Sequence, residues 1–208
     1  QDKKFFRVLN HQDQYIGWLD SENFCIVTSE RWQNWNKLSK IYLGTFIDKP
    51  AILYPGTMLG MVVNDIFLFD LEKGIKSVSL STDSYVPLEK KVTPESIIAT
   101  SKRFLPTGDL GGISYLWGGT CVPQLDCSGF TQTVYKINNV LLPRDSDQQY
   151  QFCQIVDLSE AMPADIIFFS KNGKRPTHVG IYLGNRQFIH CSPSPESGVK
   201  INDLEGET

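Results

Sequence analysis

Asp126-Cys127-Ser128-Gly129-Phe130, preceded by Tyr115-Leu116-Trp117-Gly118-Gly119, is the stretch whose reading decides the fold of the C-terminal half. From Cys127 onward the apolar residues Phe130, Val134 and Ile137 recur at helical spacing, and Asn138-Asn139 closes the pattern. The spacing predicts an amphipathic helix with Cys127 at its start and Asp126 at or beside its cap. A thiol there lies at the positive end of the helix dipole, close to free amide hydrogens, which favours thiolate over thiol. The small residues Ser128 and Gly129 let a substrate carbonyl approach the backbone amides that would form an oxyanion hole. The competing reading is a buried cysteine that happens to begin a helix.

A nucleophile of this kind needs a base from elsewhere in the chain. The chain has three histidines, and His178 and His190 fall in one short segment near its end. In His178-Val179-Gly180-Ile181-Tyr182-Leu183 the alternation puts His178, Gly180 and Tyr182 on one face of a strand. Gly184-Asn185-Arg186 turns the chain toward Phe188 and His190. An odd loop would bring the two histidines to one face, and an even loop without a bulge would separate them. On one face, His178 could take the proton of Cys127 while His190 holds His178 in orientation.

Around this core the chain is α+β. Thr93-Pro94-Glu95 supplies a cap, a proline at the first helical position and an acid in the first turn, which predicts a helix from about 94 to 104. Residues 105–126 read as a loop, and a short polar helix is expected through Gln148-Gln149-Tyr150. Strands are expected over 164–169, 177–183 and 187–191. Before residue 87 the grammar is that of small barrels or sandwiches. Its strand-like pieces are Phe5–Leu9, Tyr15–Leu19, Phe24–Val27, Ala51–Tyr54, Thr57–Val63, Ile66–Phe69 and Lys76–Leu80. Turns are expected at Asn64-Asp65 and Glu72-Lys73-Gly74, a helical turn or loop over 28–39 with Trp32 and Trp35, and a linker over 87–91.

With 208 residues, 41% hydrophobic, 21% charged and a net charge of -3, the chain shows no basic excess that would point to nucleic acid. Its apolar runs are too short to span a bilayer as a helix. It opens on Gln1-Asp2-Lys3-Lys4 with no charged-then-apolar leader, so a signal peptide is either lacking or missing from the sequence. Five cysteines at irregular spacing argue against a disulfide framework and for small buried hydrophobes. Cys127, His178, His190 and Cys191 are ligand types that suit zinc, but their spacing matches no metal motif. No metal and no cofactor is expected.

Six pieces in order resemble the NlpC/P60 cysteine peptidases: Tyr115-x-Trp-Gly-Gly, Asp126-Cys-Ser-Gly, Leu142-Pro-Arg, Ala164-Asp-Ile-Ile-Phe-Phe, His178-Val-Gly-Ile-Tyr and Phe188-Ile-His. The resemblance implies a papain-like domain over 88–208, helices packed on an antiparallel sheet, with Cys127 as nucleophile, His178 as base and His190 as orienting residue. Ala164-Asp165 stands where the family usually has Gly-Asp. The similar branch carries bacterial SH3-like domains ahead of the catalytic one; Tyr15-Ile16-Gly17-Trp18 matches the close of one, giving a partial unit over 1–39 and a second over 40–87.

That branch implies hydrolysis of the γ-D-glutamyl-diamino acid bond of peptidoglycan stem peptides. Tyr115, Asp126, Ser128, Ser146 and Tyr15 would line the groove, and Asp126 would help bind the free amine of an N-terminal L-alanine. Arg144-Asp145 is read either as a second substrate contact or as a local salt bridge, and Trp117 and Trp18 either as carbohydrate-stacking residues or, in preference, as core or interdomain packing. A wall-binding protein without activity, or an amidase or acyltransferase using the same thiol, are the alternatives. Cytoplasmic recycling and action in the cell envelope both stay open.

Overall fold

The computed structural model describes the chain except residues 1–3, 11, 22–25, 48–52, 63–64, 71–73, 194–195 and 205–208. The N-terminal hairpin pairs β1 (Phe5–Leu9) with β2 (Ile16–Asp20), antiparallel. Helix α1 (Ser29–Asn36) follows, capped by the Thr28 hydroxyl, which accepts from the amide of Arg31. Next comes a four-stranded antiparallel meander, β3 (Ser39–Tyr42), β4 (Met58–Val62), β5 (Asp65–Asp70) and β6 (Gly74–Val78), in sequential order. Its core is Ile41, Leu43, Leu53, Leu59, Ile66 and Val78.

Helix α1 explains one tryptophan. Trp35, 2% exposed, closes the end of the meander edge-on to Phe69, with the Lys40 ammonium 4.9 Å from its ring centroid. Gly60 makes room for it, since a Cβ there would lie 2.4 Å from Leu38 Cδ1 and 3.0 Å from Trp35. Strand β3 was not expected, because Ser39-Lys40-Ile41-Tyr42 follows the helix with no turn residue to announce it. Of the expected strands, Phe24–Val27 and Ala51–Tyr54 lie partly outside the described residues; Ile26 and Val27 are coil, and Leu53 forms only an isolated bridge to Ile47. The expected turn residues Asn64, Glu72 and Lys73 also lie outside them.

Beyond Pro87 the order is α2 (Pro94–Lys102), three two-residue strands β7 (Ser114–Tyr115), β8 (Thr120–Cys121) and β9 (Gln124–Leu125), then α3 (Cys127–Ile137) and α4 (Ser146–Phe152). The three short strands form one small sheet where a loop was expected. Helix α2 starts as predicted at Thr93, with a reciprocal capping box to Ser96, and stops two residues early. The sheet β10 (Ile166–Phe169), β11 (His178–Gly184), β12 (Gln187–Ser192) and β13 (Gly198–Asp203) is an antiparallel meander in sequential order. Strand β13 is an addition to the expected three.

Helix α3 packs Phe130, Val134 and Ile137 into a core with Ile97 and Phe104 on one side and Ile181 and Ile189 on the other. It is also fastened just past its C-terminal end and at its middle. Asn139 Nδ2 donates to the carbonyls of Val86 and Pro87, which pins the expected linker. Gln132 Nε2 donates to Asp13 Oδ2 at 3.1 Å, which holds the turn before Tyr15 against the helix. Ala164 adopts φ +77, a left-handed conformation that glycine takes without cost. The departure from Gly-Asp at this position is therefore a backbone strain, held by hydrogen bonds from the Ala164 amide to Tyr182 O and from the Tyr135 hydroxyl to Ala164 O.

Candidate active site

Cys127 is the first residue of α3, and Asp126 is its cap. The Asp126 carboxylate accepts from five donors: Gly129 N at 2.7 Å, Gly118 N at 3.0 Å, Ser128 Oγ at 3.2 Å, and the Arg144 guanidinium through Nη1 at 3.2 Å and Nη2 at 2.6 Å. Asp126 is 7% and Arg144 8% exposed, so this is a buried, bidentate ion pair. Arg144 Nη1 also donates to Ser128 Oγ at 2.9 Å. Of the two sequence readings of Arg144-Asp145, a salt bridge is present, but its partner is Asp126, to which the guanidinium turns inward; Asp145 caps α4 in a box with Gln148, and both residues line the groove. Two carboxylate oxygens offer about four lone-pair directions, so the internal donors already saturate Asp126.

Fully buried Gln149 locks the other side of the turn at Cys127, donating to Ser128 O at 3.1 Å and Pro143 O at 2.9 Å while accepting from Thr131 Oγ1. The start of α3 is thus a rigid knot of paired polar groups.

The hairpin geometry turns on one irregularity. Asn185 and Arg186 both have positive φ, a two-residue turn of the mirror-image type that joins β11 to β12. Two residues is an even loop, and Gly184 indeed pairs with Gln187. Between Gly184 and Tyr182 the register shifts, so that Tyr182 faces Phe188 and Ile181 faces Ile189. The bulge reverses the parity and returns His178 and His190 to one face. A Cβ on Gly180 would lie 3.1 Å from His190 Cβ and 2.9 Å from Phe188 Cδ2, so this glycine is the gap through which the two imidazoles meet. His178 Nε2 is 2.5 Å from His190 Nδ1, and His190 Nε2 is 2.8 Å from Asn202 Oδ1. Val179, next to His178, directs its amide at the Cys127 sulfur.

Burial sets the charge states. It pushes the His178 pKa down to about 4, with His190 and Lys200 adding to the effect, so His178 is a neutral imidazole at pH 7. Burial also raises the Cys127 thiol, and the Asp126 charge adds to it; the amides of Val179, Ser128 and Cys127 itself pull the other way and do not prevail. The expected resting thiolate is thus corrected to a neutral thiol, and His178 is a neutral imidazole. His178 is neutral in the folded state down to about 4 but protonates near 6.5 when unfolded, so stability is full above 6.5 and is lost progressively as pH falls toward 4.

A groove of about 500 Å³ opens over Cys127, and Tyr15, Tyr115, Asp126, Ser128 and Ser146 all line it. Burial, then the charge that Cys127 carries once ionised at alkaline pH and that of Asp126, pushes the Tyr115 phenol to about 12 and keeps it a hydroxyl donor. Trp117 lines the groove at 84% exposure and Trp18 is 71% exposed, so neither belongs to a core as expected. Trp117 sits in a turn with Gly118 at φ +80, which carries its side chain out into solvent. Arg175 and Asp147, paired at 2.7 Å, form part of the groove wall and were not singled out in the sequence. Asn202 was missed with its strand.

Among the four described cysteines Cys121 is exposed, Cys153 intermediate, and Cys127 and Cys191 buried; none is bonded to another. Cys191 follows His190 in the strand, faces away from the histidines and donates to Leu125 O, so it cannot join His178 and His190 around a metal. Among the described residues no three His, Cys, Asp or Glu side chains could hold a metal ion.

The NlpC/P60 family model matches residues 112–208, the segment that holds this site. Those residues are an NlpC/P60 domain. Over 112 residues the chain is 39% identical to the γ-D-glutamyl-L-lysine dipeptidyl-peptidase of Bacillus cereus, covering 53% of this chain and 32% of that protein. It is 40% identical over 110 residues to the probable endopeptidase p60 of Listeria seeligeri, covering 53% of this chain and 19% of the relative. The chain thus spans a third or less of these curated relatives. The crystal structure of an NlpC/P60 family protein from Bacillus cereus superposes over 97% of this chain and 74% of its own, with TM-score 0.72 and 23% identity. That likeness extends the shared mixed α/β fold from the NlpC/P60 domain into the N-terminal β-rich part. No helix among the described residues is long and apolar enough to cross a membrane.

Proposed function

We propose that this chain is a cysteine endopeptidase that hydrolyses the γ-D-glutamyl-diamino acid bond of peptidoglycan stem peptides carrying a free N-terminal L-alanine. The observation that carries the proposal is the His178–His190 pair, held on one face by the bulge, beside the residue whose amide reaches the Cys127 sulfur. His190 occupies Nε2 of His178, so Nδ1 is the nitrogen left for the thiol. As the Cys127 sulfur attacks the γ-carbonyl of D-glutamate, its proton passes to His178, and amides at the start of α3 stabilise the oxyanion. The imidazolium then protonates the departing amine of the diamino acid. A thioester remains on Cys127; water, deprotonated by His178, attacks it and releases the L-Ala-D-Glu acid.

The β-rich parts before the linker are read as SH3-like units, a partial one over 1–39 and a second over 40–87, ahead of a catalytic domain over 88–208. Tyr15 from the first unit walls off one end of the groove and limits what can precede the L-alanine. The substrate ammonium would be drawn by the negative charge of Asp126, whose acceptor sites its internal donors already fill, while Tyr115, Ser128 and Ser146 contact the peptide.

The test is substrate selection. L-Ala-γ-D-Glu with meso-diaminopimelate or L-lysine as third residue is expected to be cut, and the N-acetylated peptides to be cut roughly a hundredfold or more slowly. Equal rates on free and acetylated peptides would remove the closed-end reading. The acid limb of kcat/KM is expected near the His178 value of about 4, because protonation there removes the base. A limb near 6.5 in a pH-rate profile would mean that His178 is not the buried neutral base.

A further inference from the structure

We infer that Asn202 is a positioning residue that sets the tautomers of both histidines, leaving the Nδ1 lone pair of His178 free to take the thiol proton. The inference rests on the peptidase reading for its catalytic meaning, and on hydrogen-bond chemistry for its content. An amide oxygen only accepts, so at 2.8 Å from Asn202 Oδ1 the Nε2 of His190 must carry the hydrogen. A neutral imidazole has a single N–H, which makes Nδ1 of His190 an acceptor. His178 Nε2, 2.5 Å away, must then be the donor, and its Nδ1 is left unprotonated. One acceptor at the far end thus orders two rings in series. Were the Asn202 amide to present its NH2 group, every proton in the relay would reverse and His178 Nδ1 would carry hydrogen, useless as a base.

The fold puts Asn202 in place through β13. His190 pairs with Lys200 and Phe188 with Asn202, so Asn202 lies diagonally across from His190 on the same face of the sheet. Phe188 packs on the His190 ring at 4.7 Å between centroids and keeps it upright toward the amide. Asn202 itself is exposed at the strand's end, so replacing it leaves the core of α3, β11 and β12 untouched.

Long-range ¹H–¹⁵N NMR of the wild-type chain at pH 7 reads the tautomers directly. Nε2–H is expected on both His178 and His190; Nδ1–H on either overturns the inference. In Asn202→Leu the ordered tautomers are expected to become mixed, with kcat down about tenfold, the scale of one hydrogen bond, and KM little changed. Asn202→Asp retains an acceptor and is expected to restore kcat to near wild type. An Asn202→Leu enzyme with wild-type kcat, or a loss that Asn202→Asp does not rescue, would count against the positioning role. A wild-type chain that shows the expected tautomers but cuts no peptide would instead refute the peptidase reading and leave the tautomer assignment standing.

Discussion

Replacing Cys127 by alanine is expected to lower turnover of L-Ala-γ-D-Glu-diamino acid peptides by roughly 10⁴-fold or more while leaving the fold intact. The loss is large because in the proposed reaction the thiol is the group that becomes bonded to the substrate. Neither Ser128, whose hydroxyl is tied to Asp126 and Arg144, nor Cys191, which faces the other side of the sheet, can take over. The structural cost is small. The knot that holds the start of α3 consists of Asp126, Arg144, Ser128 and Gln149, and none of its hydrogen bonds uses the Cys127 side chain. Removing one buried sulfur should cost about 1 kcal/mol. Turnover assayed beside a thermal melt checks both halves, and activity within tenfold of wild type would dismiss Cys127 as nucleophile.

Arg144→Met is expected to be the most destabilising single change at the site. It strips two charge-assisted bonds from Asp126 and one from Ser128, and leaves a carboxylate 7% exposed with no counter-charge. Breaking a buried pair in this way costs about 3–5 kcal/mol, which for a chain of this size lowers the melting temperature by about 10 °C. The double variant Asp126→Asn/Arg144→Met should recover much of the loss, because the orphaned charge goes with its partner. Arg144→Lys should fall between them, since an ammonium cannot span both carboxylate oxygens and Ser128 Oγ at once. A single Arg144→Met variant melting with the wild type would mean that the pair does not hold the α3 cap. The same charge bears on chemistry: Asp126 already raises the Cys127 thiol, and losing Arg144 removes what offsets that field.

Local signals carried much of this. The start of α3, its apolar stripe and the Thr93 cap were readable because each depends on residues within one or two helical turns. That His178 and His190 share a face was not, because the parity of the hairpin depends on a bulge between Tyr182 and Gly184 that no turn residue announces. Strand β13 escaped because Val199-Lys200-Ile201-Asn202 alternates for only two cycles, and Asn202 was lost with it. The partner of Arg144 lay 18 residues back in the chain, so only the fold could choose between Asp126 and Asp145. Tryptophans divided for the same reason: Trp35 has a strand with a glycine gap to lie on, and Trp117 stands in a turn.

The proposed reaction passes through an acyl group on the sulfur of Cys127. The direct measurement is intact-protein mass spectrometry of enzyme acid-quenched during turnover of L-Ala-γ-D-Glu-meso-diaminopimelate, with the modified residue located by proteolysis. The expected result is an L-Ala-γ-D-Glu adduct on Cys127 that forms and decays with product release. Hydrolysis that continues at the wild-type rate with Cys127 alkylated would contradict the account.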